Sequence, residues 1–149
     1  MLSDGAALRS VRRPEDAPRQ CAALPLTGSG DGLRVVMVTS RATRRWVIPK
    51  GWIEPGEAPH RSAAREAFEE AGILGETEPE PIGRFVYNKR KARGVLLLCE
   101  VLVFRLRVES VLPDWPERRE RDRLLVPPEV AAAMVAEPEL AALLRGIRR

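Results

Sequence analysis

Apolar positions along the chain come in short runs separated by turn-forming residues, and only one stretch keeps a helical period early on. Gln20 to Leu26 reads as a strand, Thr27 to Gly32 (TGSGDG) as a turn, and the valine-rich run Leu33 to Thr39 as a buried strand. These runs predict a hairpin. A basic loop, Ser40 to Arg45, leads to a short apolar run, Trp46 to Ile48. Pro49 to Pro59 holds three prolines and two glycines, which predicts a loop. Helical spacing then runs from His60 to Ala71, with Ala63, Ala64, Ala67, Phe68 and Ala71 on the face that should pack on a sheet. Gly72 stands where a left-handed terminating residue is needed.

Pro79 and Pro81 mark a boundary, after which Ile82 to Tyr87 and Gly94 to Leu106 read as strands joined by the basic turn Asn88 to Arg93. Asp114 to Arg123 is a charge-dense loop. Pro127 and Pro128 open a helix through Val135, and Pro138 opens another through Ile147, each proline in a tolerated first-turn position. Residues 1–18 show no period and predict a flexible arm, with residues 19–149 forming one domain. Strands interrupted by one helix, with no regular strand–helix alternation, predict an α+β fold: a mixed sheet covered by helices.

Composition narrows the setting. Hydrophobic residues at 44% and charged residues at 31% fit a folded soluble protein and exclude a disordered one. The longest apolar stretch, Val95 to Phe104, is broken by Glu100, so no run reaches the roughly 20 residues a membrane span needs. The first residues lack an apolar core and carry Asp4, Glu15 and Asp16, which argues against a secretory leader. Cys21 and Cys99 both lie in apolar runs and read as buried thiols. Together these features predict a cytoplasmic protein with no membrane contact, either a monomer or a homodimer. The net charge of +4 comes from 22 Arg and 3 Lys against 21 acids, a bias that coding preference alone can explain, so the placement of the arginines matters more than their number.

The chemistry concentrates between Gly51 and Ile73. Glu66 and Glu70 stand four residues apart on one helical face, and Glu69 flanks them, three from Glu66 and four from Arg65. Three carboxylates in the last turns of a helix repel each other and oppose the macrodipole. The arrangement calls for a cation, and carboxylate oxygens suit Mg²⁺ or Mn²⁺. The preceding loop adds Glu54, Glu57 and backbone carbonyls.

These residues form a pattern: Gly51, five residues, Glu57, seven residues, then Arg65-Glu66-Ala67-x-Glu69-Glu70-x-Gly72-Ile73. It resembles the complete Nudix box, with every fixed position filled. The resemblance implies an α/β/α sandwich with a mixed sheet, and hydrolysis of a pyrophosphate linked to another moiety. It implies that Glu66 and Glu70 bind Mg²⁺ (or Mn²⁺) with a backbone carbonyl of Lys50 or Gly51. It makes Glu69 the candidate base and has Arg65 hold the glutamates by pairing with Glu57. His60, the only histidine, is given no role by it and reads as a residue of the helix start.

Substrate choice falls to surrounding groups. Arg41, Arg44 and Arg45 precede the box, and Lys89, Arg90, Lys91 and Arg93 fill a turn. Neither stretch has an acid nearby in sequence. Arg118, Arg119, Arg121 and Arg123 alternate with Glu117, Glu120 and Asp122 and read as solvated ion pairs. Trp46 reads as core, Trp115 as loop packing and Trp52, beside Gly51, as lining a substrate mouth. Ser40-Arg41, then Arg45-Trp46-Val47-Ile48-Pro49-Lys50-Gly51 and the later basic turn, is similar to the diphosphoinositol polyphosphate and diadenosine polyphosphate phosphohydrolase branch. It departs from that branch at Leu124 and Leu125, where an aromatic is common. The resemblance implies a small, densely anionic phosphate substrate contacted by Arg41, Arg45, Lys50, Gly51, Trp52, Lys89, Arg90 and Arg93. An enzyme acting on RNA 5′ ends and a nucleotide-binding domain without hydrolysis are the alternatives. Aromatics at only 5% give no RNA stacking platform, and the intact box argues against silence.

Overall fold

A strand in the middle of a sheet must be apolar on both faces, and β1 (Arg19–Thr27) is buried from Gln20 to Leu26. The computed structural model describes residues 19–90 and 92–147; the expected arm over residues 1–18 lies outside them. β1 pairs in parallel with β7 (Leu96–Val111) from Arg19↔Glu100 to Leu26↔Arg107. Its other edge is shared: β4 (Lys50–Trp52) pairs antiparallel with Gln20 to Ala22, and β2 (Arg34–Thr39) pairs with Leu26 and Thr27. Between them Ala23 N donates to Pro49 O at 3.0 Å. Two residues on, Pro25 has no N–H to offer at the point where that edge passes from one partner to the other.

The remaining strands are β3 (Trp46–Val47), β5 (Ile73–Thr77), β6 (Gly83–Arg90) and β8 (Arg123–Val126). The mixed sheet runs β3-β2-β1-β7-β5, with β6 also on β7 and β8 also on β2. Helices flank it, as the sequence predicts. α1 (Pro59–Ala71) packs on β1 and β5, and α2 (Pro128–Met134) and α3 (Pro138–Arg145) pack on each other and reach β2 and β6. Leu24, Met37, Phe85, Phe104, Leu106 and Leu140 are among the fully buried core side chains. Cys21 and Cys99 are buried thiols. Among the described residues no helix is long and apolar enough to cross a membrane.

Several boundaries differ from expectation. The segment expected as one loop after Ile48 contains β4, which is three residues long and owes its strand form to its pairing with β1. β5 and β8 were not legible, because each is too short to show alternation and is defined by a long-range partner. β7 continues five residues beyond Leu106, where β5 covers it. On α1 Ala63, Ala67 and Ala71 are buried as expected, but Phe68 is 37% exposed and Ser62 and Glu70 are buried instead. α1 ends at Gly72, with φ 66°. A side chain there would also strike Trp115, so both conformation and packing require glycine.

Candidate active site

The last two turns of α1 lie over β4, and the two segments meet through backbone and carboxylate. Glu70 is 7% exposed, and its Oε1 accepts from Lys50 N at 3.2 Å. A Cβ on Gly51 would run into the Glu66 carboxylate and push it off the strand, so glycine keeps the carboxylate this close. Both glutamates therefore converge on the Lys50–Gly51 peptide. Beneath it, Cys21 Sγ donates to Gly51 O at 3.7 Å. Burial and the Glu66 charge push the Cys21 thiol up to about 12.

Arg65 grips one side of this cluster. Its Nη2 lies 3.3 Å from Glu57 Oε1 and 3.9 Å from Glu54, and its Nη1 lies 3.2 Å from Glu66 and 3.6 Å from Glu69. Glu57 is fixed in turn by the Ser62 hydroxyl, which with Arg65 holds its carboxyl below the ordinary range. The expected Arg65–Glu57 pair is present.

Arg121 grips the other side, and nothing in the sequence reading singled it out. Its side chain is 7% exposed, and Nη2 lies 3.2 Å from Glu70 Oε2. Nε donates to Glu117 at 2.8 Å and Nη1 to Thr39 O at 2.9 Å. The expectation of solvated ion pairs thus fails for Arg121. It fails for Arg123 as well, which stacks over the Trp115 ring at 4.1 Å and donates to Ala71 O at 2.8 Å. Trp115 Nε1 donates to Glu70 O at 2.9 Å. The cations called for by an acidic helix C-terminus are thus supplied in part by this loop. Even so, burial pushes Glu70 up to about 8 against the pull of Arg121. Burial, then the neighbouring Glu69, also raises Glu66. Two desolvated carboxylates beside the backbone of Lys50 and Gly51 are a donor set for a hard divalent cation. Among the described residues no three His, Cys, Asp or Glu side chains surround one point. The expected ligands are two carboxylates and a carbonyl, which does not require a third side chain.

A cavity of about 630 Å³ opens above the cluster. Of the expected residues, Glu66, Glu69, Glu70, Lys50, Gly51 and Trp52 line it, joined by Arg41 and Arg45 from the loop after β2 and Lys89 from β6. Trp52 is 39% exposed there, and Lys50 Nζ sits 4.7 Å over the Tyr87 ring. Glu57, Arg65 and the exposed Arg93 do not line it. The Arg90 side chain and Lys91 lie outside the described residues. Sequence reading missed Gln20, Tyr87, Glu117, Arg121 and Glu137, which complete the wall. Only the fold brings them in.

The first basic stretch is acid-free along the chain but not in space. Arg41 pairs with Glu120 at 2.8 Å, Arg44 with Asp122 at 2.9 Å, and Arg45 approaches Glu137 at 3.7 Å. Two acids of the charged loop, Glu120 and Asp122, thus neutralise this one, while Asp114 and Glu117 pair within the loop as expected, with Arg118 and Arg121. Among the described residues five cationic and five carboxylate side chains line the cavity, so their charges balance. His60 is held by Thr77, whose hydroxyl donates to His60 O at 2.8 Å, outside the cavity wall.

Comparison with known proteins agrees with this architecture. The NUDIX domain profile matches residues 17–146. Nudix hydrolase 12, mitochondrial, of Arabidopsis thaliana is 37% identical over 94 residues, covering 61% of this chain and 46% of that protein. Diphosphoinositol polyphosphate phosphohydrolase 3-beta of Bos taurus is 33% identical over 105 residues, 70% of this chain and 59% of that one. The chain thus spans about half the length of the curated relatives it matches. Among solved structures, a C. elegans Ap4A hydrolase binary complex superposes with TM-score 0.65 at 20% identity, covering 87% of this chain and 93% of that one. E. coli dihydroneopterin triphosphate pyrophosphohydrolase gives TM-score 0.66 at 18% identity, with 86% and 92% covered. These last two likenesses are of fold.

Proposed function

The chain belongs to the NUDIX family, and from that premise we propose that it hydrolyses pyrophosphate bonds in a polyphosphate substrate, using a divalent cation held by Glu66 and Glu70. The observation that carries the reading is the convergence of both carboxylates on the Lys50–Gly51 peptide at the foot of the cavity. When bound, Mg²⁺ or Mn²⁺ supplies Lewis acidity and neutralises phosphate oxygens. Glu66, Glu70 and a carbonyl of Lys50 or Gly51 hold it. Glu69, which lines the cavity with its carboxylate 37% exposed, accepts the proton of the attacking water. Arg65 orients Glu66 and Glu69 and takes no proton itself.

Arg41, Arg45, Lys50 and Lys89 bind phosphate oxygens, with Trp52 at the mouth. Either a diadenosine polyphosphate or a diphosphoinositol polyphosphate satisfies that set, and the named relatives include a diphosphoinositol polyphosphate phosphohydrolase. The proposal places the protein in the cytoplasm, supported by its buried thiols, as a monomer or homodimer.

A panel of pyrophosphates assayed with Mg²⁺ tests the reading. Turnover of a polyphosphate should exceed that of ADP-ribose, and Glu70→Gln should remove most of it while the fold persists. Arg41→Ala should raise KM for the polyphosphate more than for ADP-ribose. Near-native turnover in both Glu66→Gln and Glu70→Gln would overturn the metal assignment.

A further inference from the structure

Glu137 stands immediately before α3, where a side chain ordinarily caps the helix, yet its carboxylate makes no capping bond. The residue is 7% exposed. Its Oε2 lies 3.7 Å from Arg45 Nη2, too long for a hydrogen bond, and its Oε1 has no hydrogen-bond partner among the described residues. Glu137 lines the same cavity as Glu66 and Glu70. A buried acceptor left without a donor is costly and rare. Oε1 is itself closed to solvent, and a turn about the last side-chain bond would bring it to the cavity that Glu137 lines, where a substrate can bring the donor.

We propose that Glu137 determines specificity by accepting a hydrogen bond from a hydroxyl or amine on the non-phosphate part of the substrate, so that a nucleoside polyphosphate is preferred to a ring phosphorylated at every position. The inference rests on the hydrolase reading of this cavity and sharpens it. A phosphate oxygen cannot fill the place, because it is an acceptor and an anion like the carboxylate it would face. A ribose hydroxyl or a base amine is neutral and donates. Charge argues the same way: Arg45 faces Glu137, Arg41 is paired with Glu120, and Arg121 with Glu70 and Glu117, so among the described residues most arginines of the cavity already face a carboxylate.

The test compares diadenosine tetraphosphate with a diphosphoinositol polyphosphate on the full chain with Mg²⁺. Wild type should show the larger kcat/KM on the adenosine substrate. Glu137→Gln keeps the volume and Glu137→Lys reverses the charge. Each should shift the ratio of the two kcat/KM values toward the inositol substrate, by about tenfold or more for Glu137→Lys, chiefly through KM. A wild type preferring the inositol substrate overturns the inference whether or not the variants fold. So does a ratio unmoved in both folded variants while wild type cleaves both substrates, and the hydrolase reading then survives. A wild type that cleaves no pyrophosphate on the panel takes down both.

Discussion

Two arginines hold the glutamate cluster from opposite sides, and they differ in nearly every respect. Arg65 is 30% exposed, and its four carboxylate partners, Glu54, Glu57, Glu66 and Glu69, all lie within eleven residues of it. Arg121 is 7% exposed and bridges Glu70, Glu117 and the carbonyl of Thr39, residues from three parts of the chain. The first is a local clamp built by one loop and one helix. The second exists only after β2, α1 and the loop before β8 have come together. A partly hydrated network tolerates the loss of a member, whereas a buried pair does not.

The comparison can be broken most directly at Arg121. Arg121→Ala takes the donor away from Glu70, Glu117 and the Thr39 carbonyl, and chemical denaturation above pH 8, where Glu70 is charged, should show a loss of about 3–5 kcal/mol. A loss smaller than that of Arg65→Ala would reverse the ranking. Cation binding gives the next effect. Mn²⁺ at a hundred times its Kd should stabilise wild type by about 2.7 kcal/mol, read as a raised Tm. The gain should vanish in the Glu66→Gln/Glu70→Gln double variant, and an unchanged Tm in wild type would count against a metal site. Arg65→Ala should cost only about 1 kcal/mol of stability, since its pairs are hydrated and shared, while turnover falls because Glu66 and Glu69 lose their orientation. The smallest change is expected for Arg44→Ala, whose exposed pair with Asp122 should be worth about 0.5 kcal/mol and should weaken further in high salt.

The same division separates what the sequence discloses from what it hides. The helix over residues 60–71, its glycine stop and the Glu66/Glu69/Glu70 cluster are set by spacings of a few residues and could be read directly, while the Arg65–Glu57 pair was implied by the resemblance to the Nudix box. The hairpin strands and the flanking helices were legible from apolar runs and prolines. β4, β5 and β8 were not, since a strand of three to five residues has no period of its own and is made by its partner. The pairing of Arg41 with Glu120, 79 residues apart, carries no local signature, so two loops that look independent in sequence proved to neutralise each other. Glu137 escaped notice for the same reason: before Pro138 it looks like an ordinary cap, and only the fold turns it toward the cavity.

The parallel pairing of β1 with β7 also governs how the chain can reach this structure. Arg19 meets Glu100 and Leu26 meets Arg107, so the central ladder closes only across some eighty residues. Contacts of such separation form late, because the entropy of closing the intervening loop precedes any reward from the contact. During synthesis β1 emerges before its partners, and although β2 and β4 can soon occupy one edge, the edge that β7 covers stays open until β7 has left the ribosome. Slow folding and a window of vulnerability to aggregation are therefore built into the strand that positions the site. Changes that hasten β6–β7 hairpin formation should improve yield without touching a single residue of the cavity floor.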